Sequence, residues 1–183
     1  MYYSTEYLSP IGALTLACNG DNLVGLWVEG QKYYGGTIPQ ADGKAMQRND
    51  DMPVFAVAKN WLDKYFAGQN PDIAELPLAP IGGDFRQYVW GALREIPYGK
   101  VVSYGDIAKK VAAKMNRDSM SSQAVGGAVG HNPIAVIIPC HRVVASNGSL
   151  TGFASGIDRK IKLLELEGTD MSGLFAPTKG TAL

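Results

Sequence analysis

Two cysteines and two histidines are all that this 183-residue chain holds of the side chains that most often build disulfide frameworks and metal sites. Cys18, His131, Cys140 and His141 show no metal-ligand spacing, so neither a metal nor another cofactor is expected. Two thiols cannot staple a small secreted fold, and the expected setting is the reducing cytosol with both thiols free. No apolar stretch approaches the roughly 20 residues that a membrane helix needs. The start, Met1-Tyr2-Tyr3-Ser4-Thr5-Glu6, has neither the basic nor the apolar region of a secretory signal, and none is expected. Net charge is missing too, with 17 Lys and Arg against 17 Asp and Glu. No repeat or low-complexity tract is visible. What is present, 46% hydrophobic and 19% charged residues, describes an ordinary globular protein with length enough for one large domain or two small ones.

The zero balance hides an asymmetry. Residues 1–83 hold 5 Lys/Arg and 9 Asp/Glu, a balance of −4, whereas residues 84–168 hold 11 and 7, a balance of +4. A basic half suits a polyanion such as nucleic acid; scattered surface charge explains the difference equally well. Between the halves, residues 71–83 carry Pro71, Pro77, Pro80, Gly82 and Gly83 and read as a linker. The expected division is 1–78, 84–168 and a disordered tail, 169–183. In the first part, Ala13–Ala17 and Asn22–Val28 flank Asn19-Gly20-Asp21, a hairpin signal. Apolar residues at 54, 57, 58, 61, 62, 65 and 66 follow a helical period. The first domain is therefore read as α/β, a small sheet plus a helix.

The second part reads as mainly helical. Phe85, Val89, Trp90, Leu93 and Ile96 share one helix face. Ser103 stands three residues before Asp106, a capping box for a helix from Tyr104 to about Lys114. After Asn116-Arg117-Asp118, the segment Ser119–Gly130 is rich in Ser, Ala and Gly. Two helices joined by a short turn, the second lined with small side chains, fit a helix-turn-helix whose second helix approaches DNA. A helix packed tightly on a neighbour selects the same residues. A last amphipathic helix covers 157–167.

The chemistry concentrates at Pro139-Cys140-His141-Arg142, where the apolar run Ile134–Ile138 stops. Such a run is expected to be buried, and proline ends it because it has no N–H to give. A thiol is a nucleophile only as thiolate, and a neighbouring imidazole is the usual means of making one near neutral pH. A lone Cys after an apolar run is also commonly a small buried hydrophobe.

Several segments lift the first reading. Val102-Ser103-Tyr104-Gly105-Asp106-Ile107-Ala108, Ala124-Val125-Gly126-Gly127-Ala128, Asn132-Pro133, Ile138-Pro139-Cys140-His141-Arg142-Val143-Val144 and Leu163-Leu164-Glu165-Leu166-Glu167 occur in this order. Together they resemble the O6-alkylguanine-DNA alkyltransferases, also called methylated-DNA–protein-cysteine methyltransferases. In 1–83 the likeness is limited to Ser9-Pro10-Ile11-Gly12 and the strand pattern. The resemblance implies an α/β N-terminal domain followed by a mainly helical C-terminal domain with a helix-turn-helix. It implies DNA repair in which the damaged nucleotide is flipped from the duplex and its alkyl group passes irreversibly to the protein's own thiolate. Cys140 would be the acceptor, His141 the base acting through a water, and Glu167 the group that orients the imidazole. Tyr104 would hydrogen-bond the leaving guanine, and Asn132 would hold the turn before the active-site strand. Val129, Val143, Phe153, Ala154 and Ser155 would line the pocket. Ser121, Ser122, Gln123, Ala124, Gly126, Arg142 and Ser146 would meet DNA, with the second helix in the minor groove. The implied partner is double-stranded DNA containing O6-alkylguanine, with O4-alkylthymine as a second candidate lesion, and the implied state is a monomer.

The sequence departs from that pattern at three places. Gln123 stands where many members carry an arginine that fills the hole left by the flipped base. Phe153 replaces a frequent tyrosine. Ala154-Ser155-Gly156 replaces a loop that often has Gly at the place of Ser155. The alternatives are a non-catalytic binder of alkylated DNA and a helix-turn-helix regulator; neither explains Pro139-Cys140-His141-Arg142.

Overall fold

The computed structural model describes residues 1–39 and 46–178. It separates into two compact units, one of Met1–Ile81 with Pro133–Ile137, the other of Gly82–Asn132 with Ile138 onward.

The first unit is a four-stranded sheet with one helix. Strands β1 (Tyr3–Ser9), β2 (Gly12–Cys18), β3 (Leu23–Val28) and β4 (Gln47–Arg48) lie in the order β3-β2-β1-β4. β1 and β2 form a tight antiparallel hairpin with Ser9 opposite Gly12. β2 and β3 form the hairpin expected around Gly20. β1 was not expected, and it supplies the centre of the sheet. Helix α1 (Pro53–Phe66) starts on a proline at its first position, where the missing N–H is harmless. It buries Val54, Phe55, Ala58, Trp61, Leu62 and Tyr65 and packs on β1, β2 and β3. Val57, expected on that face, is exposed, and Phe55 takes its place.

The run Ile134–Ile138 is buried as expected, but it is not a strand. Ile134 makes one bridge to Leu26, with Leu26 N–H donating to Pro133 O at 2.8 Å and Ala135 N–H to Leu26 O at 2.9 Å. The chain then curls. Val136 has φ 69°, a left-handed conformation that strains a β-branched residue by about 1–3 kcal/mol. Pro133 and Pro139, without N–H groups, cannot extend a ladder on either side.

The second unit holds α2 (Asp84–Arg94), β5 (Val102–Ser103), α3 (Tyr104–Lys114), α4 (Ser122–Gly130), β6 (Val143–Val144) and α5 (Ile157–Leu166). α2, α3 and α4 pack on one another, and Trp90 Nε1–H donates to Ala128 O at 2.9 Å. Both halves of the capping box form: Ser103 Oγ accepts from Asp106 N–H, and the Asp106 carboxylate accepts from Ser103 N–H. Ser121 caps α4 by accepting from Ala124 N–H. α3 and α4 are the two helices of a helix-turn-helix.

The tail is not disordered where it is described. Met171 and Leu174 pack on the buried cluster Val144, Leu150 and Leu164. Leu150 N–H donates to Phe175 O at 2.9 Å, and Phe175 N–H to Gly148 O at 3.1 Å. A composition rich in Gly, Thr and Pro hid two apolar anchors at the right spacing. Residues 179–183, also expected to be disordered, lie outside the described residues.

Candidate active site

β5 and β6 pair in parallel, Val102 with Val143 and Ser103 with Val144. That short ladder brings the start of α3, which is Tyr104, beside the segment that follows Pro139. Cys140–Arg142 is a single 3-10 turn. All three of its residues are buried, although two are ionisable bases. Asn132 Nδ2 donates to Ile138 O at 2.7 Å, which ties the ends of the 132–138 turn, and the Asn132 side chain also hydrogen-bonds the Cys140 thiol. Cys140 N–H donates to Ile138 O at 2.8 Å, which fixes the start of the turn.

Behind the turn, Glu167 closes the C-terminal end of α5. His141 Nε2 lies 2.6 Å from Glu167 Oε1. Arg142 grips the same carboxylate, Nε to Oε2 at 2.8 Å and Nη2 to Oε1 at 3.0 Å. Gly99 N–H donates to Oε2 at 3.2 Å. A buried carboxylate with this many donors is satisfied. Burial alone raises its pKa, but the bonds from His141 and Arg142 outweigh burial and hold Glu167 well below the usual carboxylate range. A carboxylate only accepts, so Nε2 carries the hydrogen and Nδ1 is the basic nitrogen of the neutral ring.

Burial pushes the Cys140 thiol up, while Asn132 and the Lys160 charge pull it down. Burial pushes His141 down, and the Glu167 carboxylate pulls it up. At rest the site therefore holds a thiol, a neutral imidazole and a carboxylate. A thiol proton passed to this ring would leave an imidazolium in contact with the Glu167 carboxylate.

Tyr104 Oη–H donates to Thr151 O at 3.0 Å, and burial raises its pKa. The approach depends on Gly152. Its φ is 83°, and a Cβ there would lie 2.3 Å from Tyr104 Oη.

The residues expected from the sequence divide into three groups. Cys140, His141, Glu167 and Asn132 meet around the 3-10 turn, and Tyr104 stands at the adjoining strand pair. Val129 and Val143 are wholly interior, at 1% and 0% exposure. Phe153 is buried with its ring edge-on to His141 at 6.3 Å between centroids, Ser155 is buried, and Ala154 is half-buried. Ser121, Ser122, Gln123 and Ala124 are exposed on the first turn of α4, and Ser146 is exposed on the turn after β6. Gly126 faces the Tyr104 ring, with 3.8 Å from a built Cβ to Cδ1, whereas Gly127 and Gly130 face open space. Small residues on α4 thus serve helix packing at one position and an open face at the others.

Arg142 is the correction. It was expected to meet DNA, but its guanidinium points inward, onto Glu167, onto Ile96 O at 2.7 Å and over the Tyr98 ring at 5.6 Å. Lys160 was missed. It is fully buried, donating to Val143 O at 2.5 Å and Thr151 O at 3.0 Å. A signal existed: Ile157, Lys160, Ile161 and Leu164 share one helix face, and a cation in an apolar stripe needs a partner. Among the described residues no group of three or more His, Cys, Asp or Glu is placed to hold a metal.

Known proteins resemble both halves of the chain. The family described as 6-O-methylguanine DNA methyltransferase, DNA binding domain, matches residues 84–169, and the ribonuclease-like domain of the same methyltransferases matches residues 1–80. A methylated-DNA–protein-cysteine methyltransferase of Haemophilus influenzae is 37% identical over 90% of this chain and 86% of its own length. One from Methanosarcina acetivorans is 43% identical over 92% of this chain and 99% of its own. The crystal structure of the Mycobacterium tuberculosis O6-methylguanine methyltransferase matches with TM-score 0.77 at 40% identity, covering 98% of this chain and 97% of that one. A Mycobacterium tuberculosis relative in complex with DNA matches with TM-score 0.77 at 41% identity, over 91% of this chain and 93% of that one.

Proposed function

Since this chain belongs to the 6-O-methylguanine DNA methyltransferase family, we propose that Cys140 is its alkyl acceptor and that His141, Glu167 and Tyr104 carry the transfer. The protein binds DNA and repairs it by moving the alkyl group of an O6-alkylguanine onto one of its own cysteines. The observation that carries the residue assignment is the Glu167 carboxylate 2.6 Å from His141 Nε2, next to Cys140 in the same 3-10 turn.

The alkyl carbon of such a lesion lies inside the duplex, so the nucleotide flips out to react. Nδ1 of His141 takes the thiol proton, through one bridging water. The thiolate electron pair forms the S–C bond in line, and the C–O pair leaves with the guanine oxygen. Tyr104 compensates the charge that develops on the base, which regains one proton as guanine. The thioether at Cys140 is stable, so each molecule acts once. Gln123, exposed on the first turn of α4, enters the stack at the flipped position. No helix among the described residues is long and apolar enough to cross a membrane. A monomer working in the reducing cytosol, which keeps the thiols of Cys18 and Cys140 free, fits this chemistry.

The test is intact mass spectrometry after incubation with an O6-methylguanine duplex. One methyl group is gained, and peptide mapping finds it on Cys140. A methyl on Cys18, or none, overturns the assignment.

A further inference from the structure

Residues 146–152 hold two glycines and a single large apolar side chain, Leu150. A segment of this kind loses much backbone entropy on ordering, so its order must come from its neighbours. On one side it turns back on itself, with Gly148 N–H donating to Ala145 O at 2.9 Å and Ala145 N–H to Ser149 O at 3.0 Å. On the other side lies the tail. Ser149 and Phe175 form a parallel bridge, in which Leu150 N–H donates to Phe175 O at 2.9 Å and Phe175 N–H to Gly148 O at 3.1 Å. Leu150 is buried, so its N–H must be paired, and Phe175 O is the partner. Met171 and Leu174 anchor the tail on Val144, Leu150 and Leu164. The close approach requires Gly148, whose φ is 90° and where a Cβ would collide with Gly173 O. The next residue after Leu150 is Thr151, whose carbonyl accepts from Tyr104 Oη–H at 3.0 Å. The tail thus pins the residue beside the carbonyl that seats Tyr104.

We propose that the tail segment Met171–Phe175 is a clasp that positions Tyr104 for alkyl transfer: it fixes Ser149 and Leu150, and with them the Thr151 carbonyl on which the Tyr104 hydroxyl sits. The inference rests on Tyr104 acting on the leaving guanine. The matched DNA-binding domain ends at residue 169, and the clasp lies beyond it. Its residues touch no reacting atom, so their effect on the reaction passes through the tyrosine alone.

Three changes open the clasp in the full chain. Leu174→Ser removes an anchor, Gly148→Ala drives Gly173 O away, and Phe175→Pro deletes the N–H that Gly148 O accepts while leaving both anchors in place. Each is made alone and together with Tyr104→Phe. Two rates are followed: single-turnover methyl transfer from an O6-methylguanine duplex, and alkylation of Cys140 by iodoacetamide without DNA, which needs no tyrosine. Opening the clasp slows methyl transfer about fivefold, the worth of one neutral hydrogen bond. Iodoacetamide alkylation is unchanged, and no further loss is added to that of Tyr104→Phe. Leu174→Met, which refills the anchor, keeps the wild-type rate. Folded variants with wild-type transfer, equal losses in both reactions, or a loss that persists in full beside Tyr104→Phe each overturn the inference. Phe175 is exposed, so Phe175→Pro leaves the core whole and decides where the other two variants do not fold. Tyr104→Phe alone is read separately. If it transfers at the wild-type rate, the tyrosine assignment has failed, a result distinct from clasp variants that leave transfer unchanged while Tyr104→Phe slows it.

Discussion

Arg142 and Glu167 meet as a two-toothed fork, with Nε and Nη2 of the guanidinium at 2.8 and 3.0 Å from the two carboxylate oxygens. The side chains are 11% and 0% exposed. Arg142 therefore holds the acid that pairs with His141, and Arg142→Met leaves that acid buried with one donor set removed. The expected loss of stability is about 3–5 kcal/mol, typical of breaking one partner out of a buried pair. Urea unfolding measures it. Arg142→Lys keeps the charge but not the fork, and it recovers only part of the loss. If Arg142→Met unfolds with the wild-type midpoint, the pair is not structural.

Glu167→Gln separates charge from shape. An amide can donate or accept, so it no longer enforces the Nε2–H tautomer, and it cannot stabilise an imidazolium. The pH profile of Cys140 alkylation moves to higher pH and methyl transfer slows. Stability changes on the acid side as well. Glu167 is held below its ordinary range in the fold, so it stabilises above the unfolded value of about 4.3, and this is lost as the pH falls toward the folded value. Denaturant midpoints from pH 7 to pH 3 fall less steeply in the variant. Equal slopes would remove Glu167 from this role.

What was legible in the sequence had a period or a motif. α1 declared itself by apolar spacing, and the start of α3 by Ser103 and Asp106. Five motifs in order led to the turn that holds Cys140. β1 was missed because Tyr3–Ser9 mixes aromatic and polar residues on a strand whose burial is only partial along its length. The apolar run Ile134–Ile138 signals burial but not backbone form, and the strand that the family resemblance implies there is ruled out by the left-handed Val136 and the two flanking prolines. Arg142 was assigned outward because arginine usually faces solvent or phosphate, and only the position of Glu167 reverses that. Lys160 was missed for the same reason: its partners are backbone carbonyls, which no sequence pattern displays.

Cys140→Ser abolishes methyl transfer, since a hydroxyl has a far higher pKa than a thiol and comparable nucleophilicity is lost. Duplex binding is retained, because the exposed residues of α4 are untouched. Mass spectrometry and gel shift on the same sample check both halves. Residual transfer by the serine variant would place the acceptor elsewhere.

Gly152→Ala tests the seat of Tyr104. The added Cβ lies 2.3 Å from Tyr104 Oη, and φ of 83° suits glycine. The backbone alone disfavours alanine by about 1–2 kcal/mol, and the hydroxyl must also leave Thr151 O. Transfer slows and the melting temperature falls. Combining the change with Tyr104→Phe makes the attribution specific: the two effects on transfer are not additive if Gly152 acts through the tyrosine. Additive losses would show that Gly152 serves the loop alone.

Gln123→Arg addresses the flipped state. Gln123 is exposed on the first turn of α4, capped by Ser121, so a longer side chain there meets no protein atoms that must move. An arginine adds reach and a charge. If the flipped nucleotide is the reactive species, the rate on duplex DNA scales with its population. The variant therefore accelerates transfer from an O6-methylguanine duplex and leaves the reaction with free O6-benzylguanine, which needs no flipping, unchanged. The added cation has a second signature. If it also neutralises a phosphate, the salt dependence of binding steepens by about 0.9 in log K against log salt. A pure wedge leaves that slope alone while raising the duplex rate. Equal acceleration of duplex and free base would mean that residue 123 acts on the thiol's surroundings rather than on the helix, and the minor-groove assignment of this turn would have to be abandoned.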